Sequence, residues 1–184
     1  MSISANQIRS LLPEISEIKD KELQDNVALI WKEACENGGI NQPEIIPKNI
    51  TNIGYTLVNH TRVVASLCKR VAELIKSLHG IEVNQDYLLA GALLHDVSKL
   101  LEMTYNGRDF VKTDFGKKIQ HGFYTAYKAY EKRLPLEIQH MLISHTPESR
   151  VMPQSIEAVI LYNVDQTDTE ILNQSLGLPL TPKH

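Results

Sequence analysis

With 184 residues, 42% of them hydrophobic, the chain is long enough to build one domain around its own core, without disulfide or oligomeric support. Its 19 lysines and arginines against 22 acidic residues leave a formal charge of −3, so no long-range field draws it to nucleic acid or anionic lipid, and phosphate recognition has to be local. The longest apolar run, 87–94, is too short to span a bilayer and the amino terminus lacks a basic stretch leading into a hydrophobic one, which predicts a cytoplasmic protein with no membrane partner.

Apolar residues recur at three- and four-residue intervals over 8–18 and again through Leu23, Val27, Ile30, Trp31 and Ala34, the pattern of two short amphipathic helices. Pro13 splits or bends the first, and Gly38-Gly39 ends the second. A proline-bearing linker over 41–48 leads to the main body, so the expected organisation is a helical extension with linker over 1–50 and a catalytic domain over 51–184. The apolar face of the extension must be covered, either by the same core or by a docked partner. Cys35 and Cys68 belong to no paired-cysteine motif and read as reduced thiols.

The next helix is expected over 57–78, with Val64, Leu67, Val71, Leu74 and Leu78 on one stripe that also carries His60, and Gly80 as terminator. Asn84 is a cap for the run Tyr-Leu-Leu-Ala-Gly-Ala-Leu-Leu at 87–94, apolar on every side and therefore a buried central helix that delivers His95 and Asp96. The helical period fails over 102–118, where Asn106-Gly107 predicts a small β-hairpin. It resumes over 121–133, 136–145 and 155–172, with Pro135 and Pro153 at helix starts. The fold class expected is all-α, a single bundle of six or more helices.

Asp96 is the strongest chemical clue. A carboxylate at the end of a fully buried apolar run costs several kcal/mol unless a cation compensates it. Lys99 lies one turn away, and His95, His60, His121, His145 and Asp165 supply further metal-ligand types. Imidazole and carboxylate donors suit divalent Fe, Mn, Co, Ni, Zn or Mg.

The order His60, His95-Asp96, His121, His145, Asp165, with the segment Leu94-His95-Asp96-Val97-Ser98-Lys99 and Asp165 in Tyr162-Asn163-Val164-Asp165, resembles the HD superfamily of metal-dependent phosphohydrolases. The resemblance covers roughly residues 53–171. It implies an HD-type helical bundle in which His60, His95, Asp96 and Asp165 bind a first metal, while Asp96 bridges to a second that His121 and His145 complete. This binuclear pattern is seen in cyclic-dinucleotide phosphodiesterases and in symmetrical diadenosine tetraphosphate hydrolases. The Gly-Tyr-Pro triplet of the former is absent, so the pattern is closer to the latter.

The implied activity is hydrolysis of a phosphomonoester or phosphoanhydride bond in a nucleotide or similar small phosphorylated metabolite, through a metal-bound hydroxide. Asp96 and Lys99 are the expected catalytic residues. Lys99 and, in the loop after His145, Arg150 are the expected phosphate contacts, the second for a second phosphate.

Each of these residues has a plainer reading. A lone histidine on an apolar stripe is more often a core residue bonded to backbone than a ligand; it is the set, in order, that argues otherwise. Lys99 alternatively neutralises Asp96 or caps its helix, and Arg150 is alternatively an ordinary surface charge. His79 reads as a helix-end cap, His140 and His184 as solvent-facing or terminal, and Phe123, Tyr124, Tyr127 and Tyr130 as packing. The rival to an enzyme is a metal- and nucleotide-binding regulatory module of the same fold with little turnover. Neither substrate nor metal identity is written in the sequence, and a symmetric homodimer is a frequent assembly at this size.

Overall fold

The computed structural model describes residues 3–50 and 54–180; His184 lies outside them. Helices α1 (Ala5–Leu11) and α2 (Lys21–Asn37) are separated by a 3-10 turn at Pro13–Glu17, because a proline can open a turn but cannot continue the α1 ladder. The remaining elements are α3 (Leu57–His79), α4 (Gln85–Leu94), α5 (Lys99–Glu102), strands β1 (Met103–Tyr105) and β2 (Phe110–Lys112), α6 (Asp114–Lys118), α7 (Phe123–Glu131), α8 (Leu136–Ser144) and α9 (Ile156–Ser175). The fold is all-α, with the two strands forming one antiparallel hairpin.

The bundle is organised around α4. From Leu88 to Leu94 every residue is buried, and α2, α3, α8 and α9 all pack on this helix. Asn84 caps it by accepting from the Tyr87 amide at 3.1 Å. Gly91 allows α8 to come close, since a Cβ at that position would lie 2.8 Å from the Met141 methyl carbon.

The amino-terminal helices belong to the same core. Trp31 is 1% exposed, and its indole N–H donates to the Leu93 carbonyl at 2.7 Å, at the point where α4 gives way to His95. The Asp86 carboxylate accepts the Lys19 and Asp20 amides, both at 2.9 Å, and ties the start of α2 to the start of α4. Cys35 and Cys68 are buried free thiols.

Helix α3 corrects the expected stripe. Val64 is buried, but Leu67, Leu74 and Leu78 are exposed; the inward face is Leu57, His60, Thr61, Val64, Ala65, Cys68 and Ala72. Small residues at Ala65, Cys68 and Ala72 suit close packing against α4, and this outweighs the leucine count. Likewise Tyr124 packs inward while Phe123, Tyr127 and Tyr130 on the same helix are exposed. Pro153 precedes α9 without opening it, since Ser155 is the cap. The 102–118 segment holds the expected hairpin and also the single-turn helix α6, capped by Thr113 and too short to show a helical period.

Trp31→Phe keeps most of the buried ring but leaves the Leu93 carbonyl without its donor. It should lower unfolding stability by about 1–3 kcal/mol, read as a lower urea midpoint at unchanged slope. An unchanged midpoint would mean that this bond does not hold α2 to α4.

Candidate metal centre

Five helices and the loops at their ends bring the sequence-predicted residues together. His60 stands in the first turn of α3, His95 and Asp96 follow the last turn of α4, His121 precedes α7, His145 ends α8, and Asp165 lies in the middle of α9. His60, His95, Asp96, His145 and Asp165 are buried, and His121 nearly so.

Each imidazole is held by its Nδ1 and turned inward by its Nε2. His95 Nδ1 donates to the Ala92 carbonyl at 2.7 Å, and His145 Nδ1 to the Leu142 carbonyl at 2.9 Å. A carbonyl oxygen only accepts, so the proton that each ring keeps in its neutral form sits on Nδ1 and Nε2 is the ligand atom. His60 Nδ1 donates to Asp168 Oδ2 at 2.5 Å, and His121 Nδ1 to Glu102 Oε1 at 2.8 Å. Carboxylates in that position fix a ring's tautomer and raise its strength as a ligand. Gly122, at φ +84°, makes room for His121 beside His145: a Cβ there would meet the Leu142 carbonyl oxygen at 2.6 Å.

Around the inward atoms, His60 Nε2 lies 3.2 Å from His95 Nε2, 3.1 Å from Asp165 Oδ1 and 3.3 Å from Asp96 Oδ2. His121 Nε2 is 2.8 Å and His145 Nε2 3.9 Å from the other Asp96 oxygen. Two donors each about 2.1 Å from one ion, at angles between about 90° and 110°, stand about 3.0–3.4 Å apart. The His60 spacings fall in that range. His145 Nε2 is fully buried with no hydrogen-bond partner among the described residues, an arrangement that costs free energy unless something other than a protein donor meets it. Among the described residues, two groups have the mutual spacing of a metal site: His60, His95 and Asp96, and Asp96, His121 and His145. They share Asp96, and the donor set fits a divalent ion in each.

The electrostatics follow from crowding. Burial alone would raise Asp96, but Lys99, His95 and hydrogen bonds from His121 and His60 hold it well below the ordinary carboxylate range. Asp165 is lowered in the same way, burial being outweighed by His60 and His95. Burial would lower His60, yet Asp165, Asp168 and Asp96 raise it to about 9; His121 is also raised to about 9, by Asp96 and Glu102. His145 is depressed to about 3 by burial and by its histidine neighbours. Lys99 Nζ donates to Asp96 Oδ2 at 2.6 Å, the pairing anticipated from its spacing.

The cluster opens into a cavity of about 410 Å³ lined by Asp96, Lys99, His121, His145 and Asp165, together with Lys48, Lys112 and Thr169. Arg150 does not line it. It is exposed, at φ +56°, on an adjoining cavity that shares Thr146, Pro147 and Glu148 with the first. His140, expected at the surface, is half-buried and accepts the Gln154 amide at 3.0 Å. Sequence reasoning missed Asp168, Glu102 and Lys48. Asp168 had a signal, being one turn beyond Asp165 on α9; the other two meet the site only through tertiary contacts.

Residues 57–170 match the family model described as HD domain. The chain belongs to the HD domain family. As an HD protein it is a metal-dependent phosphohydrolase, and HD domains bind divalent metals. A curated relative, the dihydroneopterin 2',3'-cyclic phosphate phosphodiesterase of Methanocaldococcus jannaschii, is 28% identical over 181 residues, spanning 88% of this chain and 68% of the relative. No solved structure gives a significant match. No helix among the described residues is long and apolar enough to cross a membrane.

Because His60 and His121 are raised to about 9, the metal-free HD chain carries protons on both inward nitrogens at pH 7, and a metal must displace them. Apparent metal affinity should therefore rise with pH up to about 9 and then level off, with proton release on loading at pH 7. Calorimetry in two buffers of different ionisation enthalpy measures that release. Equal heats in both buffers would contradict it.

Proposed function

We propose that this chain hydrolyses a phosphoester or phosphoanhydride bond in a nucleotide or similar small metabolite. In this reading His60, His95, Asp96 and Asp165 hold one divalent ion, and Asp96, His121 and His145 a second. The observation that carries it is the convergence of bare or displaceable Nε2 atoms on both oxygens of one buried carboxylate, at the floor of an open cavity. Bound divalent ions would supply Lewis acidity, lowering the pKa of water and neutralising charge on a phosphoryl oxygen. Iron, manganese, cobalt, nickel, zinc and magnesium all suit the donors.

The residues themselves bind, orient and hold protons. Asp168 and Glu102 fix the rings of His60 and His121. Lys99 keeps a positive charge at the cavity wall, where it balances Asp96 and lies within reach of a phosphoryl oxygen or a leaving group. Arg150, across Thr146–Glu148, would meet a second phosphate of a substrate long enough to reach the adjoining cavity.

A cavity of about 410 Å³ is the size of a small-metabolite site. The relative's named substrate brings a 2',3'-cyclic phosphate carried by a flat heterocyclic compound into the candidate class, and 2',3'-cyclic nucleotides share that group. In this proposal residues 51–184 form the domain that holds the metal ligands, 1–50 form a helical extension and linker, and the buried free thiols support a cytoplasmic setting.

The test is product release from 2',3'-cyclic nucleotides, nucleoside mono-, di- and triphosphates and a dinucleoside tetraphosphate, with metals counted by elemental analysis. Expected are about two metals per chain and metal-dependent turnover, both lost in Asp96→Ala, with His121→Ala keeping about one metal. Protein that binds metal yet cleaves nothing in the panel would favour the regulatory module.

A further inference from the structure

Lys48 stands nine residues before the stretch that matches the family model, in a segment whose composition marks it only as a linker. The structure makes it part of the site wall. Its backbone is fixed by short-range pairing: the Lys48 amide donates to the Tyr55 carbonyl at 2.8 Å, the Leu57 amide donates to the Ile46 carbonyl at 2.8 Å, and Pro47 bridges Thr56 in antiparallel fashion. The linker is thereby strapped to the start of α3, the helix that carries His60.

From this position the Lys48 side chain, in a residue only 2% exposed, runs inward and donates to Thr169 Oγ1 on α9. Thr169 in turn donates to Asp165 Oδ1 at 3.4 Å, one turn back along the helix. Lys48, Thr169, Asp165, Asp96 and Lys99 all line the same cavity.

A buried ammonium has to be compensated, and a neutral hydroxyl compensates poorly. Among the described residues Lys48 forms no ion pair, whereas Lys99 is paired with Asp96 at 2.6 Å. Burial accordingly pulls Lys48 below the ordinary lysine range, with Asp165 opposing the shift. A protein that needed only to neutralise Asp165 or Asp168 would set the ammonium on the carboxylate itself, as it does at Lys99. Lys48 is instead held one hydroxyl away, facing the cavity through which a substrate reaches the metal ligands.

We propose that Lys48 is a substrate-binding residue, whose ammonium takes a nonbridging oxygen of the phosphoryl group in the cavity that Lys99 also lines, so that the segment before α3 contributes directly to the site. This rests on the phosphohydrolase reading above. Arg150 lines only the adjoining cavity and Lys112 stands exposed on β2, which leaves Lys48 and Lys99 as the cations set into the cavity wall for such a ligand. Thr169 is a positioning residue, holding the ammonium between Asp165 and the incoming anion.

The test uses the full chain loaded with manganese and two readouts: inorganic phosphate affinity by equilibrium titration, and KM with kcat on whichever panel substrate turns over. Lys48→Met should weaken phosphate binding and raise KM about tenfold or more, the scale of one charge-assisted hydrogen bond. Metal content should be unchanged, and the metal-free melting temperature unchanged or higher, because an ammonium costly to bury has gone. Phosphate affinity and KM equal to wild type, or a markedly lower melting temperature with both unchanged, would assign Lys48 a structural role and overturn the inference. Should Lys48→Met fail to fold, Thr169→Val keeps the charge and removes its anchor; it should raise the phosphate dissociation constant severalfold, and no change would likewise overturn the inference. Wild-type protein that binds phosphate but cleaves no panel substrate defeats the hydrolase reading alone, while the phosphate titration still decides the role of Lys48.

Discussion

Four imidazoles turned toward one buried carboxylate pair require protons or a metal cation between them. In their neutral form His95 and His145 spend their one proton on backbone carbonyls, so their inward nitrogens then have none to offer the carboxylates they face. His60 and His121 are clamped by Asp168 and Glu102 from behind and meet Asp96 and Asp165 in front. Acceptors in such proximity repel unless protons or a metal cation lie between them. Five carboxylates, Asp96, Glu102, Glu148, Asp165 and Asp168, stand against three ammonium groups, Lys48, Lys99 and Lys112, in and around one cavity. One divalent ion balances that excess with the histidines neutral; a second leaves the cavity positive, which suits a phosphoryl anion.

The fold serves this requirement by making the site's supports rigid. Helix α4 is apolar all round, so it is locked on every side and fixes His95 and Asp96 at its exit. Trp31 clamps the Leu93 carbonyl immediately before them. The candidate ligands from α3, the end of α8 and α9 are positioned by helices rather than by long loops, and the glycine after His121 lets the remaining ring approach. Residues 3–50 complete this packing and also, through Lys48, reach the cavity.

Much of this was legible in the sequence because it is local. The cap at Asn84, the terminator at Gly80, the uninterrupted apolar run into His95 and the Asn106-Gly107 hairpin all rest on short-range chemistry, and the element bounds follow from it. The six metal-ligand candidates were legible as residue types at the ends or inward faces of successive helices. What escaped was rotational phase and tertiary approach. The leucines of α3 outnumber its alanines, yet the close α3–α4 contact selects the small residues and leaves Leu74 and Leu78 outside. Glu102 acts through a ring 19 positions away, and Lys48 meets Thr169 across 121 positions. No periodicity or motif records such meetings.

The most direct measurement of the central claim is anomalous diffraction from crystals of protein grown with manganese, collected on the low-energy side of the iron edge where manganese scatters strongly. The account predicts one peak enclosed by His60, His95, Asp96 and Asp165, and a second enclosed by Asp96, His121 and His145. Ordered water in both positions at saturating manganese, with no anomalous signal, would contradict it and mean that protons alone hold the cluster together.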